Sequence, residues 1–480
     1  MPHSSLPAPR CRRVSVRVGR RRTRRLRAAV IAVTVAAALA ACSNSGPTAS
    51  TTGEPTGKLT YWFAPNTPDA VGVENFTKYN VTPFKAAYPK VELQAIQKNV
   101  NTINQNIQVA LAAGKGPDIV TASGIANVFP YAQAGYLQDL TAAAKENDWA
   151  DRLLPWAMES AKVDGKLVAL PQAYETLVLF YNKTLFEQNG WKPPTNRQQL
   201  EDLAGKMVAK GITPFAAGNS DYPAGSEWLV SAFMNEVAGP AKVHDALTGT
   251  IDWTAPEFAQ SIDLLKQYFD KGWFGGGVKP YFSTTDPQKY TKFASGQAGM
   301  YISGTWEFVT LPDYFGKGND NQFDWTPLPP LADGIPTTYP LSIGNTLSVN
   351  KKTQNAHAAE TYLDWQLKDT KNMWANVAAT GSEPLPVKLK PSDIPSSVDP
   401  RLARVFTSLS TASNDGKVGY TTWTSWGGKA DQYIVDNTDK VLNGDLSTAD
   451  FLKGMNDAFK DDKARDLVPT PYSTGKTAQK

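Results

Sequence analysis

The order of strand-like and helix-like segments over residues 58–123 constrains the fold more than any other feature of this chain. The run KLTYWF (58–63) is rich in β-forming residues, and aromatic residues follow at helical spacing over 73–89. Strand alternation returns at KVELQAIQ (90–97), and residues 103–123 predict a helix, a Gly-Pro turn and a strand. A β-α-β-α-β order needs crossover helices, so we predict a parallel, twisted sheet flanked by helices.

The remainder of the chain continues this α/β pattern. Its 480 residues are too many for one core, so two domains are expected. Two strands and a helix are predicted over 165–190, and a further strand over 345–352. Amphipathic helices are predicted over 195–211, 256–274, 357–367 and 431–462.

The N-terminus indicates export. A basic run (20–27) precedes the apolar run AAVIAVTVAAALAA (28–41), a pattern that predicts a signal peptide over residues 1–41. That apolar run is too short to cross a bilayer core of about 30 Å as a helix, which disfavours a permanent membrane span. Both Sec and twin-Arg export remain open.

The end of the apolar run indicates a lipid anchor. Leu39-Ala40-Ala41-Cys42 resembles the bacterial lipobox, which predicts that Cys42 is lipidated; an ordinary signal peptide with an incidental cysteine is the alternative. Since Cys11 leaves with the signal peptide, no disulfide is expected in the mature chain. The Ser/Thr/Gly/Pro-rich residues 43–57 are predicted to form a flexible tether.

The net charge of +4 comes from the N-terminal segment alone. Residues 1–41 hold ten Arg and no acid, and the remaining chain has 39 basic against 45 acidic residues. Because no long basic run remains, nucleic-acid binding is not expected. Neither His244 nor His357 has the partner of an HExxH zinc site, and no G-x-S-x-G or P-loop motif occurs. The sequence therefore predicts no catalytic residue, metal or cofactor.

Aromatic side chains are the most distinctive chemical feature. All 13 Trp lie after residue 61, and several follow turn residues instead of forming helical stripes: Trp62, Trp228, Trp306, Trp423 and Trp426. A flat aromatic ring matches the C–H face of a pyranose, and packing in the core is the alternative for each ring. In GQAGMYISGTW (296–306) we predict a helix end at Gly296, a strand over 298–303, and a turn at Gly304 that directs Trp306 towards a sugar.

Two segments carry a family resemblance. These are GK-x3-LP-x4-T-x4-YNK-x2-F (165–186) and F-x-S-G-x-A-G-M-x-I-S-G-x-W (293–306), and shorter matching segments occur in the expected order over residues 57–460. The chain resembles the bacterial extracellular solute-binding proteins of the family-1 sugar type, which are receptors of ABC importers related to maltose-binding protein. The resemblance implies a non-enzymatic, monomeric receptor that is lipid-anchored outside the cytoplasmic membrane and delivers a carbohydrate to permease subunits.

The resemblance also implies a two-lobe periplasmic-binding-protein-like fold of type II, with a hinge and an inter-lobe ligand cleft. Lobe one is expected to comprise residues 57–172 and 330–372, lobe two residues 177–326 and 373–465, and residues 466–480 a C-terminal tail. The ligand-binding residues implied by the matching segments are Trp62, Ser123, Tyr174, Glu175, Trp228, Trp306, Gly344, Asn345, Glu383, and Trp423 or Trp426. Which of these last two faces the ligand stays open.

Two alternatives remain at this point. The same fold can bind a different polar solute, although the implied site is aromatic and neutral or acidic, which favours an uncharged sugar. An exported glycoside hydrolase is the other alternative, because paired carboxylates are defined by their separation in space. The pairs that the sequence leaves open are Asp164 with Glu175, and Glu227 with Glu307.

Overall fold

The computed structural model describes residues 53–64, 69–316 and 318–472. The predicted signal peptide, the lipidation site Cys42 and most of the predicted tether lie outside these ranges, so they stay predictions. Within the described ranges, none of the helices combines the length and the hydropathy that crossing a membrane requires.

Both strands and helices occur along the whole described chain. The strands are β1 Gly57–Phe63, β2 Val91–Gln97, β3 Ile119–Ser123, β4 Lys162–Val163, β5 Lys166–Leu167, β6 Leu170–Asn182, β7 Thr213–Phe215, β8 Ala298–Gly304, β9 Phe323–Thr326, β10 Tyr339–Val349 and β11 Val418–Tyr420. The helices are α1 Asp69–Phe76, α2 Thr82–Ala87, α3 Ile103–Ala112, α4 Val128–Gln133, α5 Thr141–Glu146, α6 Trp149–Arg152, α7 Pro155–Ser160, α8 Lys183–Asn189, α9 Arg197–Ala209, α10 Ser226–Phe233, α11 Pro240–Thr248, α12 Pro256–Asp270, α13 Val278–Ser283, α14 Asp286–Ala294, α15 Leu311–Tyr314, α16 Ala356–Lys368, α17 Thr370–Thr380, α18 Pro400–Asp415, α19 Thr422–Ser425, α20 Gly428–Asn443 and α21 Thr448–Ala464. The α/β class that the sequence predicts is therefore confirmed.

The parallel sheet predicted for the start of the chain is present. The sheet has the order β2-β1-β3-β10-β6-β8-β7, with β11 beside β10 and β9 beside β6. Strand β1 runs parallel to both β2 and β3, as crossover helices between them require. The long strands β6 and β10 pair antiparallel in the middle of the sheet.

The two long strands connect the two halves of the molecule. The first half of β6 pairs with β10, whereas its second half, from Leu177 onwards, pairs with β8 and β9. Strand β10 pairs with β3 through its second half, from Asn345. Strand β6 thus gives backbone hydrogen bonds to β10 in its first half and to β8 and β9 in its second, and it changes partner around Glu175 and Thr176.

Buried apolar side chains form two clusters among the described residues. One includes Leu59 and Ile119 of the parallel strands, and the other includes Phe233 of α10 and Phe451 of α21. The first cluster also contains side chains between Met373 and Ala412, although that segment was assigned to lobe two. The predicted lobe boundaries stay a proposal.

The start of the predicted C-terminal tail is packed against the fold. Leu467 is buried, and the ring of Tyr472 stacks on Tyr420 with centroids 4.7 Å apart and an interplanar angle of 21°. The Tyr472 ring also lies 5.0 Å from that of Trp156. Residues up to Tyr472 therefore belong to the folded body, and the described chain ends there.

Candidate functional site

Four aromatic rings meet beside the crossing strands. The ring centroid of Trp306 lies 5.6 Å from that of Trp228 and 5.9 Å from that of Trp423. Tyr222 stacks on Trp228 at 5.9 Å with an interplanar angle of 11°. We call Tyr222, Trp228, Trp306 and Trp423 the aromatic cluster. Trp228 and Trp306 are only partly buried, so these rings offer surface to a ligand.

The segment before Trp306 folds largely as its sequence predicts. Helix α14 ends at Ala294, Gly296 has a φ of 78° and β8 is fully buried, which confirms the predicted helix end and strand. The predicted turn at Gly304 is wrong, since this residue is extended (φ −96°, ψ 172°) and the chain turns only from Thr305. A Cβ at Gly304 would overlap the indole of Trp306. The glycine therefore makes room for the ring.

Glu175 lies buried where β6 crosses between the two halves. The Ser342 hydroxyl on β10 donates to its Oε2 at 3.1 Å, and the indole N–H of Trp423 donates to the same hydroxyl. Gly344 leaves the space that the Glu175 carboxylate occupies, because a Cβ there would overlap it. The carboxylate is thereby connected to the aromatic cluster through one serine.

The backbone of β6 is irregular just before Glu175. Ala173 has a φ of 52°, a left-handed conformation that is unusual for a residue other than glycine. The Tyr174 N–H donates to the Pro384 carbonyl at 2.9 Å. This hydrogen bond brings the neighbouring Glu383 towards the crossing. A strained backbone such as that of Ala173 is often found at functional sites.

Burial and mutual repulsion raise the pKa values of Glu175 and Glu383, two carboxyls of a first group that also contains their neighbour Glu307. Burial raises the pKa of Glu175 well above its usual value, the charge of Glu383 raises it further, and the Ser342 hydrogen bond opposes the change. Burial also raises the pKa of Glu383 to about 7, with the charge of Glu307 adding to it. Glu307 accepts hydrogen bonds from the hydroxyls of Tyr301 at 2.6 Å and Ser303 at 2.7 Å.

A second pair of carboxyls, Glu227 and Asp431, lies close to Tyr222. The Thr422 hydroxyl donates to Glu227 Oε2 at 3.1 Å. Burial, and then the charge of Asp431, raise the pKa of Glu227 well above its usual value; burial raises that of Asp431 to about 6. Burial is the largest cause of the raised pKa of Tyr222, and the charges of Glu227, Asp431 and Glu175 raise this pKa further. Tyr222 therefore lies close to both groups of carboxyls.

Glu383→Gln is expected to stabilise the unliganded protein above pH 7. The pKa of Glu383 rises from 4.5 to about 7 on folding, so the folded state keeps its proton to a higher pH than the unfolded state does. The free energy of unfolding therefore falls as the pH rises from about 4.5 through 7. Removing the charge should raise the free energy of unfolding by about 1–2 kcal/mol at pH 8. Urea unfolding at pH 4 and pH 8 measures this; an equal difference at both pH values would contradict it.

Ser123, Asn345 and Trp62 lie on strands β3, β10 and β1 of the sheet. Asn345 and Ser123 are paired in the β10–β3 register, and the Thr121 hydroxyl donates to Asn345 Oδ1 at 2.7 Å. Gly124, the next residue, packs against Trp423, which brings this strand end to the aromatic cluster. Trp62 lies on β1, with the Lys98 ammonium 4.3 Å from its ring centroid.

Two of the predicted residues point into the protein. Trp426 has no exposed surface and stacks on Trp253 with centroids 4.7 Å apart. Tyr174 is buried, and its hydroxyl lies 3.3 Å from Ser413 Oγ. In this structure neither side chain reaches the aromatic cluster.

Sequence reasoning missed four polar members of the site: Tyr222, Ser342, Thr422 and Asp431. The hydroxyls of Thr421 and Thr424 also lie within this network, 3.0 Å apart. The run TTWTSW (421–426) surrounds Trp423 with hydroxyl side chains, which was a local signal for its threonines. Among the described residues, no group of three His, Cys, Asp or Glu side chains is arranged to hold a metal ion.

The comparisons with known proteins agree on one family. A family model described as bacterial extracellular solute-binding protein matches residues 67–373. A maltotriose-binding protein of Pyrococcus abyssi is 24% identical over 287 residues, or 59% of this chain and 57% of the relative. A maltodextrin-binding protein of Bacillus subtilis is 25% identical over 72% of this chain and 77% of the relative. The chain thus spans little more than half the length of the first of these relatives.

Solved structures of similar shape cover the fold almost completely. A chitin oligosaccharide binding protein has a TM-score of 0.72 at 21% identity, covering 85% of this chain and 99% of its own. The GacH receptor of Streptomyces glaucescens, solved unliganded and with acarbose, has a TM-score of 0.68 at 21% identity, covering 86% and 98%. These likenesses confirm the predicted two-lobe, periplasmic-binding-protein-like fold.

Proposed function

We propose that this chain, which belongs to the bacterial extracellular solute-binding proteins, binds a carbohydrate between its lobes for an ABC importer. The observation that carries the proposal is the aromatic cluster, which lies beside carboxyls at the crossing strands. Partly exposed indoles can stack on the apolar face of a sugar ring. Carboxylates beside them accept hydrogen bonds from the ring hydroxyls. Relatives named for maltotriose, maltodextrin and galactooligosaccharide support a saccharide ligand.

The crossing strands suggest how binding is transmitted. Trp228 and Trp306 pack against the second core cluster, whereas Ser123 and Asn345 belong to strands that pack in the first. A ligand that contacts both sides stabilises the closed form, and β6 and β10 are the segments that would bend. Permease subunits would then recognise the closed receptor.

The receptor is proposed to act outside the cytoplasm and to catalyse no reaction. Export by residues 1–41, lipidation of Cys42 and a tether over 43–57 would hold a monomeric receptor at the outer face of the membrane. For the hydrolase alternative, Asp164 lies exposed in the β4–β5 turn while Glu175 is buried at the crossing. A different polar solute is the second alternative, since one relative is named for osmoprotective compounds.

Thermal unfolding against a panel of saccharides tests the proposal. A ligand at about 100 times its Kd adds about 2.7 kcal/mol to the free energy of unfolding, so at least one sugar should raise the melting temperature. A glycosidase assay on the same sugars should show no products. Turnover would contradict the receptor role, and a shift with only non-carbohydrate solutes would favour the different ligand.

A further inference from the structure

The last described residues leave helix α21 and run between the two core clusters. We call residues 466–472 the C-terminal strap. Asp466 has a φ of 54°, a left-handed conformation that turns the chain away from the end of α21. Leu467 is buried in the first core cluster, whereas Val468, the next residue, packs against the second. The strap therefore contacts both clusters close to its start.

Tyr472 joins the same two clusters at the other end of the strap. Of the partly buried apolar side chains in the described ranges, it alone packs against both clusters. Its ring lies 5.0 Å from that of Trp156 on α7, which packs against the first cluster, and 4.7 Å from that of Tyr420, which is buried in the second. The Tyr472 hydroxyl donates to the Gly419 carbonyl, and the Tyr420 hydroxyl donates to the Tyr472 carbonyl. Stacking and two hydrogen bonds thus hold both the ring and the backbone of Tyr472 on β11.

The strap lies on the face of the crossing strands away from the aromatic cluster. Tyr174 and Glu175 are successive residues of β6, so their side chains point to opposite faces of the sheet. Glu175 faces Ser342 and, through it, the aromatic cluster. The Tyr174 ring lies 5.8 Å from that of Trp156, the neighbour of the strap. A bend of β6 and β10 that closes the cleft on one face therefore also changes the contacts of the strap on the other.

A contact across the cleft exists in the same arrangement. The side-chain amide of Asn101 donates to the Asp221 carbonyl at 3.4 Å, and we call this the mouth contact. Asn101 precedes α3, whose Ile103 and Ile107 are buried in the first core cluster, and Asp221 precedes α10, which packs in the second. The two loops meet from opposite sides while the strap is engaged, so the strap contacts belong to the closed arrangement.

Resting on the proposed function, we propose that the C-terminal strap stabilises the closed form of the receptor and so increases its affinity for the saccharide. A ligand held between the lobes binds tightly only to the closed form, so a contact that favours this form lowers the apparent Kd. Tyr472 is a positioning residue, because it lies away from the aromatic cluster and acts through closure. Its removal leaves the sugar contacts unchanged and makes the closed form less populated.

Tyr472→Ala separates an effect on closure from an effect on sugar contacts. A bound sugar leaves only after the cleft opens, so loss of the strap should act on the dissociation rate. With the full chain and the sugar identified by thermal unfolding, dissociation should become about tenfold faster, while the association rate stays within about threefold. Tyr472→Phe keeps the ring and should have a smaller effect. Unchanged dissociation or tighter binding in Tyr472→Ala would overturn the inference.

Tyr433→Ala is the matched control for this variant. Tyr433 is also a partly buried tyrosine, but it packs against the second core cluster alone, beside the ring of Phe451. Its replacement should lower the free energy of unfolding and leave both rates within about threefold of the original. Equally faster dissociation in both variants would reflect a general loss of stability and would count against the strap.

Distances across the cleft test the strap without any sugar. Spin labels at Thr102→Cys and Ser220→Cys, exposed neighbours of the mouth contact, report the separation of the two loops once Cys11→Ser and Cys42→Ser have removed the other cysteines. Adding Tyr472→Ala should shift the measured distances to longer values. Unchanged distances would overturn the inference, and the receptor function would stand without it wherever a sugar binds. Longer distances in a chain that binds no sugar would support the strap and contradict the proposed function.

Discussion

Trp306→Ala is expected to weaken saccharide binding by about 100-fold or more. The indole contacts both Trp228 and Trp423, so its loss removes one stacking surface and takes a neighbouring ring away from each of the other two. Buried aromatic anchors of this kind commonly contribute 2–4 kcal/mol to binding. Because Trp306 is only partly buried, the variant should still fold. Calorimetry with the sugar identified by thermal unfolding measures the loss.

Trp191→Ala is the matched control for that experiment. Trp191 is also a partly buried indole, but it packs on Phe186 next to α8, away from the aromatic cluster. Its replacement should leave the affinity within about threefold of the original, because no predicted ligand contact changes. Binding by Trp306→Ala as tight as by Trp191→Ala would refute the assignment of Trp306 as the central contact.

Local signals predicted most of what is regular in this protein. The parallel β1–β3 arrangement followed from alternating periodicities, and the end of α14 followed from Gly296, because both depend on residues close in sequence. The prediction of a turn at Gly304 was wrong because it took the glycine for a turn residue. Its glycine is required by the Trp306 ring, a contact between side chain and backbone that a pattern of turn residues does not express.

The polar part of the candidate site was much less predictable. Ser342 reaches Glu175 across 167 residues of sequence, and Thr422 reaches Glu227 across 195. Such pairs depend on the register of β6 with β10 and on the packing of α19, which no single segment encodes. The sequence therefore indicated the aromatic residues and missed the hydroxyls that connect them to the carboxyls.

Trp423 and Trp426 show the limit of reasoning from a local motif. Both follow threonine- and serine-rich positions in TTWTSW, and the sequence left open which of them faces the ligand. The short helix α19 directs the Trp423 indole to Ser342, whereas Trp426, three residues later, packs on Trp253 in the second core cluster. The turn of the chain between Trp423 and Trp426 therefore decides which ring lines the site and which packs in the core.

Trp426→Ala should therefore act on stability. The ring is fully buried against Trp253, so its removal leaves a cavity and should lower the free energy of unfolding by about 3–5 kcal/mol, measured by urea unfolding without ligand. Trp426→Phe refills part of that volume and should cost clearly less. If Trp426→Ala instead kept the original stability and lost sugar binding, the ring would be a ligand contact after all, and the second core cluster would have to open on binding. A stability loss that Trp426→Phe partly restores assigns the ring to the core and leaves Trp423 as the ligand-facing member of the pair.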